Sequence, residues 1–376
     1  MTAARLTTAT VAAAAAACLI LTGCSNSDDA ASAGAKKIAV KVTDQGCAAE
    51  PATAEAGALT FEVTNTDAKR VTEAEVLKDG KILGEKENLT PGLSGTFTLR
   101  LEPGEYVVLC PNAATDQSPF TVTAAKGATA AASVDADLAS SVATYKAYLE
   151  DQTAQLTAQT EKFVAAVKAG DVAKAKALFA PTRAYYERIE PVAESFGDLD
   201  PQIDARVNDV DPGDEWTGFH KLEKALWADG SLDGTGPVAD KLLTDVKDLE
   251  SKVTTVELAP EQIANGAVGL LDEVAKSKIT GEEDRYSHTD LWDFAANVAG
   301  AREAVDVLAP TLRAKDAALL TTINGQFKDV LASLSQYQTA DGYEDYSAVT
   351  DDQRRTMTTQ VNALAESLSK VAPLIA

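Results

Sequence analysis

Trp216-Thr-Gly-Phe-His220-Lys-Leu-Glu223-Lys-Ala-Leu-Trp227 is the stretch of sequence from which the fold of this chain is inferred. We expect it to lie in a helix over residues 214–228. His220 and Glu223 are three residues apart, so on a helix both project from the same face. Helical bundles use such a Glu/His pair to present metal ligands toward their interior. A histidine on an apolar face is also commonly an ordinary core residue, and the pair alone leaves that alternative open.

A second group of acids lies upstream of this helix. In Tyr186-Glu187-Arg-Ile-Glu190-Pro-Val-Ala-Glu194 the three carboxylates are spaced i, i+3 and i+7, which again places them on one helical face. From Glu194 to Glu215 the chain has eight acidic residues and one basic residue, Arg206. Carboxylates together with one imidazole suit hard ions such as Fe(III), Mn(II) or Ca(II). The alternative is a solvated acidic loop.

The zinc-peptidase ligand patterns are absent. The sequence contains no His-Glu-x-x-His, and His220-Lys-Leu-Glu223 is followed by Lys224 where the inverted motif needs a second histidine. The second histidine of the chain, His288, is far away in sequence, so a catalytic zinc site with three protein ligands would need an untested long-range contact. We therefore expect a protein that is not an enzyme.

The C-terminal part, residues 134–376, shows apolar residues at helical spacing and is predicted to be an all-α bundle. A first helix is expected to end at Gly170-Asp171 and a second to stop at Pro181. Further helices are expected over residues 181–196, 214–228, 237–256, 260–277, 287–308, 311–337 and 350–371. Residues 125–133, rich in Ala, Gly and Thr, are expected to form the linker that precedes the bundle.

Residues 37–124 alternate between apolar and polar and are interrupted by turn signals, which predicts about seven strands in a small β-sandwich. Pro103-Gly-Glu-Tyr-Val-Val-Leu-Cys110 resembles the last strands of a cupredoxin. A blue-copper centre needs two histidines beside its cysteine. Both histidines of the chain lie in the helical part, so a type-1 copper centre is excluded on ligand count unless another domain donates histidine.

The N-terminus is predicted to be a processing segment. Residues 1–23 have the short basic start and apolar run of a signal peptide, and Leu21-Thr-Gly-Cys24 resembles the lipobox of bacterial lipoproteins. This resemblance implies lipidation of Cys24, a flexible tether over residues 24–36, and a protein anchored to a membrane without crossing it. The net charge of −23 argues against nucleic acid as a partner, because phosphates are bound through Lys and Arg.

Three sequence blocks, taken together, resemble the imelysin-like family. They are Trp216–Trp227, the Tyr186–Phe196 segment, and Ile279-Thr-Gly-Glu-Glu-Asp-Arg-Tyr-Ser-His-Thr-Asp-Leu-Trp-Asp-Phe294. With the N-terminal part included, the mature chain resembles the EfeO-type iron-uptake lipoproteins. The resemblance implies an N-terminal all-β cupredoxin-like sandwich and a C-terminal all-α imelysin-like bundle. By position it also implies a set of iron ligands: His220, Glu223, Glu187, Glu190, Asp204 and Glu283. The neighbouring acids Asp200, Glu282 and Asp284 could fill the same roles.

The resemblance further implies a second metal site in the β-domain, for copper or iron, formed by Cys47, Glu73, Glu75 and Cys110. A Cys47–Cys110 disulfide is the competing interpretation, because two cysteines in an oxidising compartment usually pair. The implied function is that of an extracytoplasmic iron-binding component that delivers iron to a membrane permease and works with a haem peroxidase. A metal-dependent peptidase and a metal-bridged polysaccharide-binding lipoprotein are the alternatives.

Overall fold

A computed structural model of the chain describes residues 35–125, 136–197, 199–210 and 213–376. The predicted signal peptide, Cys24, the tether up to residue 34 and most of the predicted linker lie outside these residues, as do Asp198 and Asp211. The described N-terminal part is built of strands and the C-terminal part of helices, which confirms the predicted combination of a β-domain and a helical domain. Among the described helices, none combines the length and the apolar character needed to span a bilayer.

The β-domain consists of two sheets packed face to face. One has the strand order β2-β1-β4-β7 and the other β3-β9-β8-β5-β6. The strands are β1 (Lys36–Val42), β2 (Ala49–Glu50), β3 (Thr53–Glu55), β4 (Gly57–Asn65), β5 (Ala74–Lys78), β6 (Lys81–Lys86), β7 (Ser94–Leu101), β8 (Gly104–Leu109) and β9 (Gln117–Thr123). Alternate residues of β4, Leu59, Phe61 and Val63, are completely buried, because a strand presents every second side chain to the core. The turn Asp79-Gly80 joins β5 to β6, and both residues have positive φ, as the tightest hairpins require.

Cys47 and Cys110 form a disulfide that ties the loop after β1 to the end of β8. This corrects the hypothesis of a second site with sulfur ligands, because a disulfide leaves no thiolate to bind copper or iron. Glu73 and Glu75 lose their proposed sulfur partners, and Glu75 lies opposite Glu85 in the β5–β6 pairing.

Replacing both cysteines by serine should destabilise the protein by up to about 4 kcal/mol, because the bridge closes a long loop and restricts the unfolded chain. The two cysteines are separated by 63 residues. Urea unfolding of the Cys47→Ser/Cys110→Ser variant measures the effect. Metal binding at the residues predicted in the helical domain should stay unchanged. Equal unfolding midpoints for the variant and the parent protein would contradict the expectation.

The helical domain is an assembly of long and short helices. They are α1 (Ala136–Lys168), α2 (Val172–Glu187), α3 (Glu190–Glu194), α4 (Leu199–Asp204), α5 (Gly218–Lys224), α6 (Gly236–Thr255), α7 (Pro260–Lys276), α8 (Asp290–Lys315), α9 (Ala317–Ser335), α10 (Asp351–Leu368) and α11 (Val371–Ile375). A π-helical turn, Ala225–Asp229, directly follows α5, and a 3₁₀ turn, Lys278–Thr280, follows α7. A short two-stranded ribbon, β10 (Gln338–Thr339) and β11 (Gly342–Tyr343), lies between α9 and α10.

Two proline-based predictions were wrong. Pro181 lies inside α2 and Pro310 inside α8, although each was expected to end or separate helices. In α2 the fully buried Phe179 and Tyr186 flank the proline, and their packing holds the helix together across the missing N–H. The real break after α8 is at Asp316, whose carboxylate accepts hydrogen bonds from the N–H groups of Ala318 and Leu319 and so caps α9.

Helix α7 packs against strands β6 and β7 and joins the two domains. The side chain of Asn265 donates to the carbonyl of Thr98 (2.8 Å), and that of Gln262 donates to the carbonyl of Leu83 (3.0 Å). The backbone N–H of Arg100 donates to Glu261 at 2.8 Å. These contacts place one edge of the β-domain beside the helices that hold the acidic residues.

Candidate metal centre

A group of charged and polar side chains lies inside the helical domain, and we call it the buried carboxylate cluster. Its members are at most 7% exposed. They are Arg183, Glu187, Glu190, Asp204, His220, Glu223, Lys278, Glu283, Asp284, Asp290, Asp293 and Asn297. The six ligands predicted for the helical domain are therefore brought together, and Asp284, named as a neighbouring alternative, joins them.

Hydrogen bonds hold the start of α5 against the end of α4. The indole N–H of Trp216 donates to the carbonyl of Ala205 (2.7 Å), and the hydroxyl of Thr217 donates to the carbonyl of Gln202 (2.9 Å). Both bonds satisfy carbonyls at the C-terminal end of α4, which has no intrahelical donors for them. Gly218 follows with φ +85°, and a Cβ atom there would lie 2.2 Å from the carbonyl oxygen of Ile203. This close approach places Asp204 of α4 beside His220 of α5.

Replacing Gly218 by alanine should destabilise the protein by about 2 kcal/mol or more, because the new methyl group must push α5 away from α4. Metal binding should weaken with it, since Asp204 and His220 would separate. Gly230→Ala is the matched control. Gly230 also has positive φ, +66°, but an added Cβ would meet nothing within 4 Å. We expect the control to lose about 1 kcal/mol and to bind metal normally. Equal metal affinity of both variants in a calorimetric titration would contradict the role of Gly218.

The two ring nitrogens of His220 face different partners. Nδ1 lies 3.0 Å from Glu223 Oε2. Nε2 lies 3.5 Å from Glu283 Oε1 and 3.7 Å from Asp204 Oδ1, and Nη1 of Arg183 approaches it to 2.9 Å. Because a guanidinium only donates, Nε2 must accept, and the ring is then the neutral tautomer with its proton on Nδ1.

The charges around His220 act on its pKa in both directions. Burial and the guanidinium of Arg183 lower the pKa, while Asp204, Glu223 and Glu283 raise it more strongly, to about 10. A proton on Nε2 would, however, point directly at the N–H of Arg183. The contact geometry therefore favours the neutral ring, with the Nε2 lone pair directed between Asp204 and Glu283.

Glu223 is held by the segment that connects the 3₁₀ turn to α8. Its Oε1 accepts hydrogen bonds from the backbone N–H groups of Tyr286 (2.9 Å) and Ser287 (2.8 Å) and from the Ser287 hydroxyl (2.9 Å). Only Oε2 remains to face His220. Glu223 thus orients the imidazole, and the same segment brings Glu283 and Asp284 to the two sides of the ring.

Arg183 lies at the centre of the cluster and is fully buried. It bonds to Glu187 and Asp204 and lies 3.2 Å from Glu283 Oε1. Asp284 and Asp293 each approach the same guanidinium to 3.7 Å. Arg183 was not predicted as part of the site, because an arginine four residues before a glutamate is also the common pattern of a surface ion pair.

Lys278 is the second buried cation of the cluster. Its Nζ lies 2.6 Å from Glu187 Oε2, 2.8 Å from Glu190 Oε2 and 3.0 Å from Glu273 Oε2. The amide of Asn297 adds donations to Glu187, at 3.0 Å to the carboxylate and 2.8 Å to the carbonyl. Glu187 and Glu190 are therefore engaged with protein cations in this state.

The buried carboxylate cluster contains eight carboxyl groups but only two permanent cations, Arg183 and Lys278. Burial raises the pKa of Asp204 to about 7, although Arg183 and His220 oppose the shift. Burial and the charge of Asp284 raise the pKa of Asp290 to about 8. Buried oxygens of Asp284, Asp290 and Asp293 also have no hydrogen-bond donor among the described residues. Such a set of acceptors is suited to a hard cation.

The two sets of ligand atoms that could hold an ion around the imidazole are Asp204/His220/Glu283 on the Nε2 side and His220/Glu223/Asp284 on the Nδ1 side. The Nε2 side carries the lone pair of the ring, which accepts from Arg183 in this state. His288 is exposed and is a member of no such set within the described ranges, so the long-range two-histidine contact is not formed. Glu282 is also outside the cluster, because it is exposed and pairs with Arg285.

Comparison with known proteins gives matches in both domains. The sequence model of the imelysin family matches residues 141–371, and that of the cupredoxin-like domain matches residues 11–134. Proteins named iron uptake system component EfeO from Escherichia coli K12, E. coli O157:H7 and Shigella flexneri are 44% identical over 344 residues, which is 89% of this chain and 90% of each relative. A crystal structure described as an iron-regulated protein A precursor from Parabacteroides distasonis aligns with a TM-score of 0.51 at 16% identity, covering 67% of this chain and 97% of that one. It shares the fold.

Proposed function

The chain belongs to the imelysin family, in the two-domain group of EfeO iron-uptake components, and we propose that it binds iron at the buried carboxylate cluster for delivery to a membrane permease. The observation that supports this proposal best is the excess of buried carboxylates around one imidazole whose Nε2 lone pair faces two of them, Asp204 and Glu283. Iron is the cargo in this proposal. A hard cation would satisfy the unpartnered oxygens and offset the negative charge that burial otherwise makes costly.

In this proposal Asp204, His220 and Glu283 are the principal ligands. Their candidate ligand atoms already lie within 4.8 Å of one another. Glu223 accepts the Nδ1 proton of His220 and fixes the ring, which is the usual task of a carboxylate behind a metal-bound histidine. Glu187 and Glu190 complete the negative environment while Lys278 and Asn297 hold them in place.

Arg183 has to move when iron binds. Its Nη1 occupies the space next to Nε2 and Asp204, so an ion bonded to both atoms would overlap it. The guanidinium therefore stabilises the iron-free cluster and competes with the cargo. Competition of this kind limits affinity and makes release to a permease easier, because the protein supplies a replacement cation at the moment the iron leaves.

The proposal places the protein in the cell envelope, held by a lipid on Cys24. Its proposed partners are an iron permease and a haem peroxidase of the same uptake system. The route to the buried ligands is a cavity of about 720 Å³ lined by Asp204, Glu283, Glu190 and Lys278 together with residues of both domains.

Uptake of radioactive iron by intact cells tests the proposal. A strain that lacks its own system receives the permease, the peroxidase and either the parent chain or the His220→Gln variant. We expect iron accumulation with the parent chain. With the variant, at equal protein levels, iron accumulation should fall by more than about 90%, because one of the three principal ligands is missing. Equal accumulation in both strains would refute the role of the cluster in uptake.

A further inference from the structure

Residues 281–289, which we call the ligand-bearing segment, connect the 3₁₀ turn at Lys278–Thr280 to helix α8. The segment carries Glu283, one of the proposed principal ligands, and two of its backbone N–H groups hold Glu223 in place. It forms turns and neither a helix nor a strand. Because no regular ladder of backbone hydrogen bonds fixes these groups, other contacts must hold the segment in position.

One residue from a distant part of the chain, Tyr346, holds both ends of the ligand-bearing segment. Its hydroxyl donates to the carbonyl of Ile279 at 2.6 Å, just before the segment begins, although the two residues are 67 positions apart. Its backbone N–H donates to the carbonyl of His288 at 2.9 Å, near the end of the segment. A tyrosine side chain has few torsions, so a single rotamer sets the distance between these two carbonyls.

Packing keeps the ring of Tyr346 in this position. The residue is only 2% exposed. Its ring meets that of Phe294 on α8 edge to face, with the centroids 5.3 Å apart. The guanidinium of Arg354 on α10 lies over the ring, 5.5 Å from its centroid. On a further side, a Cβ atom at Gly281 would lie 3.0 Å from the ring. The ring is therefore enclosed, and its hydroxyl stays directed at Ile279.

The end of the segment adopts a backbone conformation that needs such support. His288 has φ +57°, in the left-handed region that residues other than glycine rarely occupy. Such a conformation persists where the surrounding contacts impose it. The N–H of His288 donates to the carbonyl of Asp284 at 2.7 Å, and its carbonyl accepts from Tyr346. His288 is an exposed residue, and these contacts are made by its backbone.

Side chains within the segment connect this backbone to the proposed site. The hydroxyl of Ser287 donates to Glu223 Oε1 at 2.9 Å, and the hydroxyl of Thr289 donates to the carboxylate of Asp284. The two donors flank His288, so a change in its backbone would displace both of them. Glu223 in turn orients the imidazole of the proposed site. A shift at the end of the segment would therefore reach the imidazole.

We propose that Tyr346 is a positioning residue of the iron site, because it holds the ligand-bearing segment where Glu283 and Glu223 both face His220. The inference rests on the proposed function, since the residues that it positions are the proposed ligand and the partner of the imidazole. Tyr346 acts through the backbone carbonyls of two residues and does not bind the ion. Its hydroxyl can be removed without removing the packed ring, which separates positioning from core packing.

Tyr346→Phe, made in the full-length chain, tests the proposal. In the metal-free protein we expect faster amide hydrogen exchange in residues 281–289, because the bond to Ile279 is lost. Iron affinity, measured by competition with Fe(III)-citrate, should fall about fivefold, less than for a residue that contacts a ligand directly. The electron paramagnetic resonance spectrum of bound Fe(III) should also change shape, because the ligands are arranged differently. A purely structural role would leave that spectrum unaltered.

Tyr343→Phe is the matched control. Tyr343 lies in β11, its ring packs against Trp292 with the centroids 5.9 Å apart, and its hydroxyl accepts from the side-chain amide of Gln338 at 3.3 Å. This variant also loses one hydroxyl, but that hydroxyl makes its bond outside the ligand-bearing segment. We expect it to match the parent protein in amide exchange of residues 281–289, in iron affinity and in the Fe(III) spectrum.

The outcomes separate failure of this inference from failure of the proposed function. Equal behaviour of Tyr346→Phe and Tyr343→Phe in all these measurements would overturn the role of Tyr346. Faster exchange in Tyr346→Phe with unchanged affinity and spectrum would also overturn it, because the ligands would then not depend on the hydroxyl. A parent chain that bound no iron would refute the proposed function, and faster exchange in Tyr346→Phe would still support the hold of Tyr346 on the segment.

Discussion

His220→Gln should reduce the affinity of the metal-free protein for iron by more than about a hundredfold, while Glu223→Gln should reduce it by about 10- to 100-fold. The two effects differ because Nε2 of His220 points between Asp204 and Glu283. Glu223 instead contacts Nδ1 of His220 and the N–H groups and hydroxyl of the segment before α8. Competition titration with Fe(III)-citrate measures both values.

His288→Gln is the matched control for these variants. His288 is the other histidine of the chain and is exposed, so its replacement should leave iron affinity unchanged. A larger loss with Glu223→Gln than with His220→Gln would show that the carboxylate is the stronger ligand and would reverse the two assigned roles. Unchanged affinity in both variants would exclude the buried cluster as the iron site.

Arg183→Met should have two opposite effects. The iron-free protein should lose about 3–5 kcal/mol of stability, because the carboxylates that surround the guanidinium are left buried without compensation. Iron affinity should rise by about tenfold or more, because the competing cation has been removed, and iron should restore much of the lost stability. Urea unfolding with and without Fe(III)-citrate measures both effects.

Arg355→Met serves as the control for Arg183→Met. Arg355 pairs with Asp352 at the surface, where its side chain is 71% exposed, so removing it should change stability by less than about 1 kcal/mol. If Arg183→Met lost iron affinity to the same extent as His220→Gln, the guanidinium would be a required part of the site and not a competitor of the cargo.

Most of the proposed ligands were predictable because they belong to short sequence blocks with a recognisable spacing. Glu187 and Glu190 share a helical face, and His220 and Glu223 share another. The family resemblance connected these blocks with Glu283. The sequence could not show which face of each helix is buried. It therefore could not distinguish a proposed ligand, such as His220, from the residue that orients it, such as Glu223.

Arg183 and Lys278 were missed for the same reason. Lysines and arginines are most often exposed, and nothing in the local sequence marks these two as fully enclosed. Their burial depends on helices that are distant in sequence: Lys278 follows α7, yet it contacts Glu187 at the end of α2 and Glu190 at the start of α3. Only the folded arrangement shows that protein cations occupy the centre of the acidic cluster.

The β-domain was predicted from its alternation of apolar and polar residues, but strand β6 was not specified. Its sequence, Lys81-Ile-Leu-Gly-Glu-Lys86, has Gly84 in its middle and a charged end, which weakens the strand signal. Glu85 and Glu87 were therefore not recognised as partners of Glu75 and Glu73. The hairpin turn at Asp79-Gly80 was the available signal, because it fixes the register that places these glutamates opposite one another.

Anomalous diffraction at the iron edge from crystals of the iron-loaded protein tests the central claim most directly. We predict a peak about 2 Å from Nε2 of His220, with carboxylate oxygens of Asp204 and Glu283 bound to the same ion and the guanidinium of Arg183 moved away. Strong iron peaks elsewhere in the chain, with His220 and Arg183 still in contact, would contradict it.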